Sequence, residues 1–155
     1  MNLQKVFPLE SIILNLESTE KEELFEELLQ NVCSRLPSIN RDEARTALLE
    51  REAKMSTGIL PGVAVPHASI DTVKGVSGVI GISRKGIDYD AIDKKPVHYV
   101  FMLLGNSSDN AGHLETLRRI AILLVNPAFV SKLSEATSPG DIWDMLGDGD
   151  NYMES

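Results

Sequence analysis

The chain has 155 residues, 43% of them hydrophobic and 25% charged, a balance typical of a globular domain with a core and unlike that of a disordered chain. Its formal net charge of −8 argues against nucleic acid as a partner and against adsorption to an anionic membrane, because both require clustered lysine and arginine. The single cysteine, Cys33, cannot form an internal disulfide bond, so the composition does not require an oxidising compartment.

No segment of the sequence is typical of a targeting peptide or a membrane span. The first residues lack the long apolar core of a signal peptide. The most apolar stretch, residues 97–104, is only eight residues long and contains His98, so it is too short to cross a bilayer. We therefore expect a cytoplasmic protein without membrane insertion.

Two amphipathic helices are predicted in the first third of the chain. Apolar side chains recur every three or four residues over residues 20–34, after the potential N-caps Ser18 and Thr19. Asn40, followed three residues later by Glu43, predicts a capping box for a second helix that runs to about residue 53. The inward stripe of this second helix is predicted to end near Glu50 or Arg51.

The middle of the chain is rich in strand signals. Residues 56–62 contain two glycines and a proline and are predicted to form a loop, which leads into a short strand over residues 63–65. Runs of valine, isoleucine and aromatic residues predict further strands over 76–83 and 99–104, joined as a hairpin by a polar turn.

Helical signals return in the last third. Residues 111–125 predict a helix with one apolar face, Pro127 is suited to the first turn of a short helix, and Ser138 with Pro139 opens a last helix that ends at Leu146. We expect one domain over residues 1–147 and a frayed acidic tail over 148–155. Helices at both ends of a strand-rich centre predict an α/β fold, with helices on both faces of a mixed β-sheet.

The usual cofactor motifs are absent from the sequence. Gly81 and Gly86 have the spacing of a phosphate-binding loop, but Ile87 stands where that motif needs lysine. There is no dinucleotide fingerprint, and the three histidines and Cys33 lack the spacing of metal-ligand motifs. We therefore expect neither a cofactor nor a metal.

His67 is the strongest candidate for chemistry. It follows an apolar strand and Pro66, which restricts the backbone and places the imidazole on a rigid support at a strand end. An imidazole with a pKa near neutrality is a good nucleophile at pH 7. The alternative is a loop histidine that makes an ordinary hydrogen bond.

Two further residues are weaker candidates. His113 lies near the start of a predicted helix, where the helix dipole favours a neutral ring that forms hydrogen bonds; the alternative is a surface histidine. Arg51, at the end of the second helix, could bind a phosphoryl group or a carboxylate through its planar fork, or it could simply be a solvated residue that complements the helix dipole.

The order of these signals along the chain is more specific than any one of them. Four segments carry it: Arg51-Glu-x-x-x-Ser-Thr-Gly, Gly62-Val-Ala-Val-Pro-His-Ala, Ala91-Ile-Asp-x-x-Pro-Val and His113-Leu-x-Thr-Leu. The series resembles the enzyme IIA domain of the mannitol/fructose class, from the bacterial phosphoenolpyruvate-dependent phosphotransferase system. The likeness extends from the first predicted helix to the last.

This resemblance implies a fold, a site and partners. The fold is a three-layer α/β/α sandwich with a mixed sheet. His67 matches the phosphorylated histidine, His113 the second active-site histidine, and Arg51 the arginine that stabilises the phosphoryl group in transit. The partners implied are an HPr-like phosphocarrier protein as donor and a IIB-type domain as acceptor, which predicts an apolar collar of Ile59, Leu60, Val63 and Val65 around His67.

The resemblance leaves two functions open. The family contains sugar-transport components and a nitrogen-regulatory branch that acts by binding a regulatory target protein. The run that starts at Ala91 is more similar to the regulatory branch, whereas Ala68-Ser69 after the Pro-His motif departs from the Gly-Lys common there. The acidic charge lies at the ends of the chain: residues 1–50 and 141–155 each carry −5, while residues 51–99 carry +2, as phosphoryl handling requires.

Overall fold

A computed structural model describes residues 2–154, in which six α-helices surround five β-strands. The elements in chain order are α1 (Leu3–Val6), β1 (Ile12–Ile13), α2 (Lys21–Arg35), α3 (Arg41–Lys54), β2 (Val63–Ala64), β3 (His67–Ile70), β4 (Val76–Ile87), β5 (Val97–Asn106), α4 (Asn110–Leu124), α5 (Pro127–Glu135) and α6 (Pro139–Glu154). A short 3₁₀ turn, Leu9–Ser11, lies between α1 and β1.

The sheet is mixed, and β5 is its most extensively paired strand. On one side, β5 pairs antiparallel with β4, which in turn pairs parallel with β1. On the other side, two successive short strands, β2 and β3, both pair parallel with β5. The break between β2 and β3 falls at Val65 and Pro66, directly before His67.

Two hydrophobic clusters divide the core, one on each face of the sheet. Helices α2 and α3 cover one face, and α1, α4, α5 and α6 cover the other. This arrangement confirms the predicted α/β/α sandwich with a mixed sheet. Among residues 2–154, no helix combines the length and apolarity needed to cross a membrane.

The first two predicted helices form with small shifts. The N-cap of α2 is Glu20 rather than Ser18 or Thr19, because the extended backbone at 19–20 pairs with the end of β4, where Asp88 N donates to the Thr19 carbonyl at 2.8 Å. Asn40 does cap α3, accepting from Glu43 N at 3.0 Å. The Glu43 carboxylate, however, accepts from Thr72 Oγ1 at 2.7 Å, so the predicted capping box is only half formed.

The largest difference from prediction in the sheet is β3. His67 was expected just beyond a strand, whereas it is the first residue of a new strand, in register with Leu103 of β5. Pro66 has no N–H to donate, but its carbonyl accepts from Leu103 N at 2.9 Å, which keeps the chain against β5 and lets pairing resume. The strands β4 and β5 also extend further than predicted, because they continue as a hairpin through a bulge after Ile82.

The predicted frayed tail is wrong for residues 148–154, since α6 continues unbroken to Glu154; Ser155 lies outside the described residues. Asp150 is buried, and its carboxylate accepts from Leu3 N at 2.7 Å and Gln4 N at 3.2 Å. Gly147 and Gly149 allow close packing of this part of α6. A Cβ at Gly149 would lie 2.8 Å from Leu123 Cδ2 of α4.

We expect Asp150→Ala to lower the free energy of unfolding by about 2 kcal/mol, because it leaves two backbone donors of α1 without their charged acceptor. Urea denaturation would measure the loss. Asp148→Ala is the matched control, since that carboxylate is exposed on the same helix and should change stability little. Equal denaturation midpoints for the two variants would contradict the assigned role of Asp150.

Candidate functional site

His67 is held in a defined orientation at the start of β3. Its Nδ1 lies 2.7 Å from the carbonyl oxygen of Val65. A carbonyl can only accept, so Nδ1 carries the hydrogen of the neutral ring and Nε2 keeps its lone pair. The ring is half-buried. The side chain therefore makes a hydrogen bond, as in the alternative prediction of an ordinary hydrogen-bonded histidine. Its second nitrogen, Nε2, is nevertheless available for chemistry.

The second predicted histidine, His113, lies beside the first. Its ring is perpendicular to that of His67, with 5.8 Å between the ring centres. The alternative of a surface histidine is wrong, because His113 is only 6% exposed. Its Nδ1 lies 3.4 Å from Ser69 Oγ, and within the described part of the chain its buried Nε2 has no hydrogen-bond partner.

The absence of a side chain at Gly105 makes this pairing of rings possible. A Cβ there would lie 2.5 Å from His113 Nδ1, closer than real contacts allow. Gly105 is on β5, opposite Ser69 of β3, so the strand that orients His67 also leaves room for the neighbouring ring.

Arg51, the third predicted residue, projects from the last turn of α3. Together with His67, Ala68, Ser69 and His113 it lines a surface depression of about 260 Å³, which we call the histidine groove. Its Nη1 donates to the Met55 carbonyl at 2.8 Å. The structure thus brings together all three predicted site residues.

The electrostatics of the site favour neutral rings. Burial lowers the pKa of His67, the hydrogen bond to the Val65 carbonyl opposes this effect, and the charge of Arg51 lowers the pKa further. Burial also lowers the pKa of His113, and the neighbouring His67 adds to the effect. Both shifts therefore favour the neutral imidazole near pH 7, the form in which one ring nitrogen keeps its lone pair.

An apolar groove of about 190 Å³ adjoins His67. The predicted collar residues Ile59, Leu60, Val63 and Val65 all line it, together with Met55 and Leu117. Their roles differ: Ile59 is 59% exposed, whereas Val63 is buried and belongs to the core. Nonpolar side chains therefore reach solvent next to the nucleophilic ring.

A buried polar network that the sequence did not predict lies behind the apolar groove. Glu52 is buried and lies 3.2 Å from Lys21 Nζ. Its carboxylate accepts from Thr57 N at 3.2 Å and from Thr57 Oγ1, which also contacts the Tyr89 hydroxyl at 2.8 Å. Glu52 follows Ala44 and Leu48 at intervals of four, so helical spacing could have identified it as the inward residue, in place of the predicted Glu50 or Arg51.

His98 lies apart from this constellation. Its Nδ1 is 2.9 Å from the Ser83 carbonyl at the hairpin of β4 and β5, as expected of a structural histidine. Across residues 2–154, no group of three histidine, cysteine or acidic side chains is arranged to hold a metal ion.

The sequence is similar to named phosphotransferase proteins. It is 35% identical over 151 residues to the "PTS system fructose-specific EIIABC component" of Bacillus subtilis, covering 97% of this chain but only 24% of that protein. It is 34% identical over 147 residues to the "PTS system fructose-specific EIIA component" of Haloferax volcanii, covering 95% of this chain and 96% of that one. The chain thus spans about a quarter of the Bacillus relative and nearly all of the Haloferax relative.

Solved structures show the same fold. The nitrogen regulatory protein IIA-Ntr of Neisseria meningitidis superimposes with a TM-score of 0.86 at 30% identity, over 93% of this chain and 98% of that one. The Escherichia coli complex of enzyme IIAMTL with phosphorylated enzyme IIBMTL gives a TM-score of 0.77 at 18% identity, over 92% and 99% of the chains. At that identity the second likeness concerns the fold alone.

The family model described as "Phosphoenolpyruvate-dependent sugar phosphotransferase system, EIIA 2" matches residues 5–148, which include both paired histidines and Arg51. Nearly the whole described fold lies within this match. The chain therefore belongs to the EIIA 2 family of the phosphoenolpyruvate-dependent sugar phosphotransferase system.

Proposed function

We propose that this protein is a cytoplasmic phosphocarrier that accepts a phosphoryl group on His67 from an HPr-type phosphohistidine and passes it to a IIB-type partner in sugar uptake. One observation carries the proposal. His67 donates from Nδ1 to the Val65 carbonyl, so the lone pair on Nε2 is left for attack, in a groove shared with His113 and Arg51.

The bonds and charges of the transfer step balance without a cofactor. His67 Nε2 attacks phosphorus and forms a new P–N bond, while the P–N bond to the donor imidazole breaks and the donor nitrogen keeps the electron pair. The His67 ring then carries the positive charge that the donor ring loses. The Val65 carbonyl, already 2.7 Å from Nδ1, stabilises that charge, so no proton needs to move.

We assign to Arg51 and His113 the role of binding the oxygens of the phosphoryl group during transfer. Phosphoryl transfer depends on positioning and on stabilising charge at the equatorial oxygens. Arg51 donates from Nη1 to the Met55 carbonyl, and the other N–H donors of the same guanidinium remain for a phosphoryl oxygen. The ring of His113 lies beside that of His67, and its buried Nε2, which has no hydrogen-bond partner within residues 2–154, would have to turn toward the groove to donate to a phosphoryl oxygen.

The apolar groove is assigned to partner docking. A carrier must receive one protein and then another at the same nucleophile, and exposed nonpolar side chains beside His67 suit such transient contacts. The E. coli structural neighbour is a complex of enzyme IIA with phosphorylated enzyme IIB, and the Haloferax relative is an EIIA component of almost the same length.

A nitrogen-regulatory role is the second candidate, favoured by the TM-score of 0.86 with the Neisseria IIA-Ntr structure. In that role, phosphorylation of His67 would add about two negative charges beside the apolar groove and change affinity for a target protein. Incubating the phosphorylated chain with a fructose-type IIB domain separates the two roles. Rapid loss of label to IIB supports transport, whereas retention of the label favours regulation.

We expect His67→Ala to abolish acid-labile labelling by phosphoenolpyruvate, enzyme I and HPr, because it removes the attacking nitrogen. Autoradiography after acid and base treatment would measure the label. His98→Ala is the control and should label normally, since His98 lies at the β4–β5 hairpin. Persistent acid-labile label on His67→Ala would contradict the proposal, as would unlabelled wild-type protein.

We expect Arg51→Ala to slow phosphoryl transfer by about 100-fold, the usual effect of losing one donor at a developing anionic charge. The fold should survive, because within residues 2–154 the Arg51 guanidinium is hydrogen-bonded only to the Met55 carbonyl at the helix end. Rapid-quench kinetics and circular dichroism would check both statements. An unchanged transfer rate would remove Arg51 from the site.

Both site imidazoles should titrate below the ordinary histidine pKa of about 6.5. Because each pKa is lowered in the folded state, the unfolded chain takes up these protons first as the pH falls, and stability should decline below that value. Ring proton shifts in NMR spectra would give the midpoints, and thermal melting would give the stability. Midpoints at or above 6.5 would contradict the role assigned to burial.

A further inference from the structure

We infer that Glu52 is a positioning residue for His67, acting through Thr57 and the backbone of Val65. The inference rests on the proposed function, since it concerns how the nucleophilic nitrogen is presented. Glu52 is remote from solvent, and the groups that it binds form a continuous path of hydrogen bonds that ends at His67 Nδ1.

The first part of the path joins helix α3 to the loop that follows it. The Glu52 carboxylate accepts from both donors of Thr57: the backbone N–H, at 3.2 Å from each carboxylate oxygen, and the hydroxyl. Two donors on one carboxylate define both the position and the orientation of the Thr57 backbone. The loop is consequently tied to the last turn of the helix that also carries Arg51.

The second part joins that loop to the strand break. The Thr57 carbonyl accepts from Val65 N at 3.2 Å, and the Val65 carbonyl accepts from His67 Nδ1 at 2.7 Å. Pro66 lies between them and restricts the backbone on both sides of its peptide bond. A displacement of Thr57 therefore shifts Val65 and, with it, the carbonyl that selects the Nδ1–H form of His67.

Further contacts hold the buried end of the path in place. Lys21 from α2 pairs with Glu52 at 3.2 Å and lies 4.7 Å from the centre of the Tyr89 ring. Since the Thr57 hydroxyl donates to the carboxylate, it accepts from the Tyr89 hydroxyl at 2.8 Å. The loop also packs closely here, because a Cβ at Gly58 would lie 2.9 Å from that of Ala91. This supports a preorganised loop rather than a mobile one.

Two variants separate positioning from a simple effect of charge. Glu52→Gln keeps the side-chain shape but replaces one accepting oxygen with a donor group, which breaks part of the double contact with Thr57. Thr57→Val leaves the Glu52 charge and its pair with Lys21 in place and removes only the hydroxyl. Thr57→Ser keeps the hydroxyl and is the conservative control.

The direct readout is the tautomer of His67, observed in ¹⁵N–¹H correlation spectra of the unphosphorylated imidazole near neutral pH. The wild type should show one form, with Nδ1 protonated and Nε2 free. Glu52→Gln and Thr57→Val should show a mixture of tautomers, and Thr57→Ser should restore the single form. This spectrum requires no phosphoryl donor, so it tests positioning even where the wild type accepts no phosphoryl group.

The second readout is the rate of phosphoryl acceptance from HPr. We expect kcat to fall about tenfold or more in Glu52→Gln and Thr57→Val, with KM for the donor unchanged, because misplacing a reacting group is costly while the docking surface stays intact. The double variant should lose no more than the stronger single variant, since both act on one path.

The opposite results would overturn the inference. A single wild-type tautomer in both folded variants, or a loss confined to KM, would mean that Glu52 serves stability alone. Thermal melting and circular dichroism establish that each variant is folded. Should Glu52→Gln fail to fold, Thr57→Val decides the question, because it leaves the buried ion pair intact. Absence of labelling in the wild type would refute the phosphocarrier function and leave the tautomer result to judge the positioning role.

Discussion

The site depends on how a single strand, β5, is paired along its outer side. Two short strands share that side, and the change from one to the other falls at Val65 and Pro66. A proline at this point can accept but not donate, so regular pairing stops for two residues and then resumes at His67. The interruption leaves the Val65 carbonyl free of the sheet, where it accepts from the imidazole that follows. The position of His67 is thus a consequence of sheet topology.

Burial and charge then determine the chemical state of the site. Two histidine rings 5.8 Å apart would repel each other if both were protonated. Desolvation lowers the pKa of each, and the charge of Arg51 favours the neutral form of His67. Under the proposed function, the cation assigned to the phosphoryl oxygens would therefore also keep Nε2 of His67 unprotonated. Arg51 supplies a positive charge at the site, while the ends of the chain hold most of the acidic residues.

The buried carboxylate of Glu52 links these features to the rest of the fold. An unpaired carboxylate inside a protein is costly, and here Lys21 and both donors of Thr57 compensate for its burial. Those partners come from α2 and from the loop after α3, and Tyr89 joins them from beyond β4. The network therefore connects one helical layer to the loop beside His67, and this connection is the basis of the positioning role that we infer for Glu52.

The sequence by itself determined the elements whose signals are local. Periodic apolar residues identified α2, α3 and α4, Asn40 identified a cap, and the order of Arg51, His67 and His113 within their motifs indicated the site. Predictions from local sequence signals were wrong where contacts with distant residues override them. The last helix was predicted to end at Leu146, yet α6 continues to Glu154, because α1 and α4 pack closely against it and Asp150 binds the backbone of α1.

Only the tertiary structure decided which nitrogen of His67 is free, that His113 is buried beside it, and that Glu52 rather than its neighbours faces inward. Each of these depends on residues far away in the chain. Gly105 makes room for the His113 ring, β5 holds the strand break in place, and Lys21 with Tyr89 stabilises the buried carboxylate. The spacing of residues in the sequence shows the periodicity of a single helix or strand. Burial and hydrogen bonding depend instead on which helices and strands contact each other, and those contacts form only when the sheet and its two helical layers pack together.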